Sequence, residues 1–80
     1  MTKVLLTGIS GFIGRNLATH LLSAGCQVEG CDLVHHDSLP TSVGFISLDI
    51  RNRTALGRWV DTHAPDIIIH LGARTDLLGR

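Results

Sequence analysis

The stretch that decides the fold reads Val4-Leu5-Leu6-Thr7-Gly8-Ile9-Ser10-Gly11-Phe12-Ile13-Gly14. Its apolar opening, residues 4–6, is too short for a helix and passes through Thr7 into glycines at 8, 11 and 14. A helical apolar pattern starts at once, so the stretch predicts a strand, a tight turn and a helix start. Three glycines at three-residue spacing suit a turn that adopts unusual dihedrals, admits a ligand to bare backbone and lets the helix lie close to its strand. The first turn of a helix carries N–H groups without intrahelical partners and a partial positive charge, so a diphosphate fits there without a lysine or arginine. A dinucleotide is the ligand this predicts. A purely structural turn uses glycines too, and what separates the two is context: a preceding strand, a following helix, and an acidic residue at the tip of the next strand. Asp32 supplies that residue, 24 positions after Gly8.

The pattern Thr7-Gly8-Ile9-Ser10-Gly11-Phe12-Ile13-Gly14 resembles the glycine turn of the extended short-chain dehydrogenase/reductases, the NAD-dependent epimerase/dehydratase group acting on nucleotide sugars. Two later segments are similar as well. Asp49-Ile50-Arg51 looks like the acidic turn after that family's third strand, and His70-Leu71-Gly72-Ala73-Arg74 like its small-residue turn after the fourth, usually His-Leu-Ala-Ala. Gly72 departs from that pattern but keeps the turn free of bulk. The resemblance spans all 80 residues yet covers only the opening of such a protein. It implies residues 1–80 as a single, incomplete domain, the N-terminal part of an NAD(P)-binding Rossmann domain.

Composition sets the outer limits. Eighty residues make one domain at most, burying somewhat more than about 60% of the surface of the unfolded chain. Seven basic and seven acidic side chains cancel, so no broad field draws the chain to nucleic acid or to an acidic membrane. No apolar run approaches the roughly 20 residues of a membrane span, and Thr7 and Gly8 break the N-terminal apolar stretch before any signal-peptide cleavage pattern. Cys26 and Cys31 read as reduced and buried in a cytoplasmic protein. The alternatives, a disulfide or half a metal site, are disfavoured because positions five apart on a strand face opposite ways.

Taken in order, residues 3–7 are expected as a first strand, buried on both faces. Residues 12–24 follow as an amphipathic helix with Ile13, Leu17 and Leu21 on its apolar side, stopped by Gly25 at C′. His20 reads as a surface position. Residues 27–32 form a second strand, where Gly30 is expected to admit the close approach of the first helix. Asp32 at its tip is the expected acceptor for the adenosine ribose hydroxyls, its bland alternative being a turn aspartate. A 2′-phosphate would be repelled by that carboxylate, and no lysine or arginine lies between Asp32 and Ile50, so NAD is expected over NADP. His35, His36 and Asp37 are adjacent possible ligands, but consecutive residues diverge, so no metal is expected. Residues 33–42 read as a surface loop in place of a crossover helix, one that could still rim the adenine pocket.

Residues 43–48 are the third strand. The resemblance implies that Asp49 then meets the adenine amino group while Ile50 packs on the ring; otherwise Asp49 only helps start the next helix. Asn52 is the expected cap of that helix, and Leu56, Trp59, Val60 and His63 its inward face, with Trp59 a core residue. Pro65 ends it at Ala64. Residues 66–71 form the fourth strand, β-branched and apolar on both faces. Right-handed crossovers give a partial Rossmann-like α/β fold: a four-stranded parallel sheet of order 3-2-1-4 with two main helices. Its crevice lies between the tips of strands one and four. There the resemblance implies that Leu71, Gly72, Ala73 and Arg74 pass the nicotinamide-side ribose and the pyrophosphate; the alternative for Arg74 is a solvated charge.

The cofactor residues are thus expected to be Gly8, Ser10, Gly11, Phe12, Ile13, Gly14, Asp32, Asp49, Ile50, Leu71, Gly72, Ala73 and Arg74, with NAD as cofactor. No catalytic residue is assigned. The family's acid/base pair is Tyr-x-x-x-Lys with a Ser or Thr, and the chain has no tyrosine and only Lys3 as lysine. Nothing places Arg74, Thr75 or Asp76 against a substrate to replace it. The expectation is an N-terminal piece of a longer cytoplasmic enzyme, a homodimer being open at full length, with a nucleotide sugar or related polar alcohol or ketone as substrate. The alternatives are a non-catalytic nucleotide-sensing module and a structural fragment whose glycines serve packing only.

Overall fold

In a computed structural model of the chain, which describes residues 1–71, strands and helices alternate from the first strand onward: β1 (Lys3–Thr7), α1 (Phe12–Ser23), β2 (Gln27–Asp32), β3 (Gly44–Ser47), α2 (Arg53–His63) and β4 (Ile67–His70). The strands of the described residues form one parallel sheet in the expected order β3-β2-β1-β4. β1 is central, and Val4, Leu5 and Leu6 are wholly buried because both faces of the sheet are covered beneath it. On one face Val4, Leu6 and Val28 pack with Ala18 of α1; on the other Leu5 and Cys31 pack with Leu48 and Trp59. Trp59 is therefore a core side chain, with Leu56 and Val60 beside it.

α1 ends as its sequence dictates. Gly25 takes φ 88°, its N–H donates to the Leu22 carbonyl at 3.0 Å, and Cys26 N–H donates to the Leu21 carbonyl at 3.0 Å. Those two bonds make the Schellman pair that satisfies carbonyls left open by a helix end. The inward face of α1 is rotated from the expected one. Gly14 and Ala18 are buried, and Leu17, Leu21 and Leu22 pack against the core, but Ile13 is 65% exposed. The cause is contact distance: a Cβ on Gly14 would lie 2.4 Å from the Gly8 carbonyl oxygen, so the smallest residue faces the sheet and Ile13 turns outward.

Gly30 also differs from expectation. Its space is filled by the Ile9 side chain of the glycine turn, which an added Cβ would meet at 2.2 Å, and not by α1. The segment between β2 and β3 holds no helix, as expected, but it is more than a surface loop. Leu39 and Val43 tuck into the α1-side core where a crossover helix would otherwise pack.

α2 is capped by Asn52, whose side chain accepts from Ala55 N–H at 3.1 Å. It closes at Ala64, which adopts a left-handed φ of 44° ahead of Pro65. β4 departs from the buried strand its composition predicts. Among the described residues it has one neighbour, β1, and Ile67 and Ile68 are 47% and 49% exposed. Cys26 and Cys31 are free thiols that face opposite core clusters. Among the described residues no helix is long and apolar enough to cross a membrane.

Candidate functional site

The C-terminal ends of the strands meet at the glycine turn, and each of its glycines has a separate physical reason. Gly8 sits at φ 72°, a region L side chains rarely enter, and its N–H and that of Ile9 donate to the Cys31 carbonyl at 2.9 and 3.3 Å, docking the turn onto β2. Gly14 is the close-packing glycine already described. Gly11 is required by neither cause: its φ is −71°, and an added Cβ would make only an ordinary contact, 3.5 Å from the Gly8 carbonyl. What its bareness provides is access to the start of α1. The Gly11 N–H closes the turn on Gly8 at 3.2 Å, and the first helical bond is Arg15 N–H to the Gly11 carbonyl at 2.9 Å. The N–H groups of Phe12, Ile13 and Gly14 precede that bond, and Gly11, Phe12 and Ile13 are solvent-exposed.

Asp32 lies at the tip of β2, next to this turn. Its Oδ2 accepts from Ser10 N–H at 3.0 Å and its Oδ1 from Leu33 N–H at 2.7 Å. Two backbone donors thus fix the carboxylate in the mouth of the glycine turn. An ionised carboxylate offers about four acceptor positions, so capacity remains for two further hydroxyls. The two bonds differ in reach: the Leu33 bond is local, as in a turn aspartate, while the Ser10 bond ties the group to the glycine turn.

Three adjoining clefts share these residues. One of about 380 Å³ lies over Gly8, Gly11, Phe12, Ile13, Gly14 and Leu71. A second of about 380 Å³ runs from Ser10, Gly11 and Asp32 to His35 and His36. The third, about 90 Å³, is bounded by Asp32, Leu33, Asp49 and Ile50. Together they trace a path along the end of the sheet from β4 to β3. A roomier cleft, about 430 Å³, lies away from the turn between α2 and β3 and includes Trp59 and Arg58.

At the β3 end, Asp49 is held by Arg51, whose Nη2 reaches Oδ2 at 2.7 Å and whose Nε lies 3.1 Å from both oxygens. Ile50 packs against the Leu48–Trp59 cluster. At the other end, Leu71 N–H continues the ladder to the Thr7 carbonyl at 3.1 Å, and the buried Thr7 hydroxyl lies 2.8 Å from His70 Nδ1. The expected residues from Gly8 to Leu71 are therefore brought to one edge. Gly72, Ala73 and Arg74 lie outside the described residues. Leu33 and Val34, named in the sequence only as part of a loop that could rim the adenine pocket, and Arg51, named only within the acidic turn, line the same path; Arg15, whose Nη1 donates to the Ser10 carbonyl at 3.0 Å, was not singled out. Two exposed apolar residues directly after Asp32, and a cation in the opening turns of a helix, were the available signals.

Beneath the turn, burial and the neighbouring Asp32 charge push the Cys31 thiol up to about 11, against a smaller lowering by the Gly8 amide. It is a packed, protonated thiol, not a nucleophile. Among the described residues no three His, Cys, Asp or Glu side chains converge as metal ligands; His36 Nδ1 instead accepts from Ser38 N–H at 3.0 Å.

Residues 4–78 match the NAD dependent epimerase/dehydratase family. The chain belongs to that family. It is 39% identical over 82 residues to a 3-beta-hydroxysteroid dehydrogenase of Mycolicibacterium neoaurum, covering 96% of this chain and 21% of the relative. To the CDP-paratose 2-epimerase of Salmonella typhi it is 34% identical over 86 residues, covering 90% and 24%. Among solved structures it superposes on the UDP-glucose 4-epimerase of Thermus thermophilus, crystallised with NAD, with a TM-score of 0.83 and 29% identity, over 91% of this chain and 24% of that one. This member of the epimerase/dehydratase family thus spans about a quarter or less of the length of the relatives it matches.

Proposed function

We propose that the chain is the NAD-binding N-terminal portion of a nucleotide-sugar epimerase/dehydratase-type oxidoreductase. The observation that carries this is the Ser10 N–H bond to Asp32 Oδ2, which sets a carboxylate in the mouth of a glycine turn whose helix start is bare at Gly11. The diphosphate would sit on the N–H groups of Phe12, Ile13 and Gly14 beside Gly8, Ser10 and Gly11. Asp32 would hold the adenosine ribose, Ile50 and Asp49 would meet the adenine, and Leu71, Gly72, Ala73 and Arg74 would run beside the nicotinamide half. NAD supplies hydride transfer when bound. The residues of this chain bind and orient it; the proton-transfer pair belongs to the longer protein.

Support for NAD and for a nucleotide-sugar substrate comes from the family and from the epimerases named above. The likeness to a hydroxysteroid dehydrogenase favours an opening unit that is indifferent to the substrate, which parts outside these residues would then choose. Free Cys26 and Cys31 suit the reducing cytoplasm, where we place the protein. Assembly as a homodimer is proposed for the full-length protein only, and sizing that protein tests it.

Titration of the chain with NAD, followed by calorimetry, tests the reading. Saturable binding is expected, weakened at least about tenfold by Gly11→Val and by Asp32→Ala, with NADP at least about tenfold weaker than NAD. Equal affinity of the wild type and Gly11→Val for NAD would rule out the turn as the diphosphate site. No turnover is expected from these residues alone.

A further inference from the structure

Ser10 is held on three sides. Its N–H donates to Asp32 Oδ2 at 3.0 Å, its hydroxyl donates to the Val34 carbonyl at 2.5 Å, and its own carbonyl accepts from Arg15 Nη1 at 3.0 Å. The first two bonds tie the glycine turn to the tip of β2. The third ties it forward to α1, and only it comes from a side chain outside the proposed contact residues. Arg15 sits four residues after the N-cap Gly11, and side chains in a helix lean toward its N-terminus, which brings the guanidinium back over Ser10. A cation there is opposed by the helix dipole, and the first turn carries no acidic residue to offset it. Its place is accounted for by the Ser10 carbonyl.

We propose that Arg15 is a positioning residue for the proposed dinucleotide site: it pins the Ser10–Gly11 peptide so that the N–H groups opening α1 stay aimed at a diphosphate. This rests on the NAD reading above and adds a residue that reading does not use. The brace acts first on the diphosphate half of the ligand: Arg15 holds the Ser10 carbonyl, part of the peptide leading into Gly11 and α1, whereas the Ser10 N–H that meets Asp32 belongs to the preceding peptide, and Asp32 is held by Leu33 N–H as well. Loss of Arg15 should therefore discriminate between ligands that carry a diphosphate and ligands that do not. A general loosening of the fold would not.

The test compares ADP with adenosine as probes, titrated by NMR into the chain and into Arg15→Ala and Arg15→Lys, with thermal midpoints recorded by circular dichroism. Arg15→Ala is expected to raise the Kd for ADP about three- to tenfold, the range of one charge-assisted hydrogen bond partly screened by water. Its Kd for adenosine should stay within about twofold, and Arg15→Lys, which keeps a donor of similar reach, should recover most of the loss. The wild-type-to-variant ratio should hold between about 50 and 500 mM salt, since a neutral carbonyl accepts the bond. Unchanged ADP affinity, or an equal loss for both ligands, overturns the proposal. So does a ratio that collapses at high salt, which would mark a direct ionic contact with phosphate. A wild type that binds neither probe overturns the NAD reading itself and this proposal with it. Should Arg15→Ala fail to fold, Arg15→Met, which keeps the aliphatic stem and has no N–H donor, serves the same comparison.

Discussion

At the scale of single residues, Gly11 and Gly14 share a sequence motif but not a physical role, and substitution separates them. A Cβ on Gly14 would press into backbone atoms at 2.4 to 2.9 Å, which no side-chain rotation relieves. Gly14→Ala is expected to destabilise the fold by about 2–3 kcal/mol, at the upper end for overpacking, seen as a lower urea midpoint. Gly11→Val, which puts a poorer N-cap residue where glycine stands, should cost about 1 kcal/mol or less and act chiefly on ligand binding. Cys31 gives a second residue-scale prediction. Its folded pKa is raised from 9.0 to about 11, so the folded state holds a proton that the unfolded state releases first. The contribution is complete below pH 9 and is lost as pH climbs through 11. The chain has no tyrosine and a single lysine, so few other side chains share that window. Urea midpoints should fall between pH 9 and 11 in the wild type and less steeply in Cys31→Ala. An alkylating reagent at about pH 7.5 should modify the half-buried Cys26 before Cys31. At this scale the sequence was readable where one residue type answers one geometric demand, as at Gly8 and Gly25. It marked Arg15 only as a cation in the opening turns of a helix and not its partner, because a back-reaching arginine has no fixed spacing from the carbonyl it meets.

At the scale of elements, Ala64 is the one non-glycine with positive φ among the described residues, at 44°, and it joins α2 to Pro65. The left-handed region costs a β-carbon about 1–2 kcal/mol, and glycine returns part of that through unfolded-state entropy. Ala64→Gly is therefore expected to raise stability by about 0.5–1 kcal/mol; a lower thermal midpoint would mean that the strain is absent. Elements were legible because apolar period and end signals agreed: Asn52 with its Ala55 bond, and Gly25 with its Schellman pair. Orientation was harder. Ile13 sits on the period of Leu17 and Leu21, yet the contact of Gly14 with the Gly8 carbonyl, which belongs to the turn and not to the helix, decides which way α1 faces. Gly30 likewise answers to Ile9, a turn residue that periodicity does not reach.

At the scale of the whole molecule, β4 lies at an edge of the sheet that the described residues form. Its composition is that of a strand buried on both faces, but Ile67 and Ile68 are about half exposed and its outer edge has no neighbour among the described residues. Such an edge pairs with other copies. Sedimentation of the chain should show association that grows with concentration and falls in Ile68→Lys; the same behaviour in both would exonerate the edge. The order of the sheet was legible from right-handed crossovers, while the exposure of β4 was not, because burial depends on residues beyond those that form the strand. The same sheet order brings the tips of β1, β2 and β4 together around the glycine turn, and the proposed NAD site stands on that juxtaposition. The most direct measurement is an amide-resolved NMR titration of the chain with NAD. The account predicts saturable shifts at Ser10, Phe12, Ile13, Gly14 and Leu33, with the cleft between α2 and β3 unmoved. Shifts centred on Arg58 and Trp59, with the glycine turn still, would contradict it.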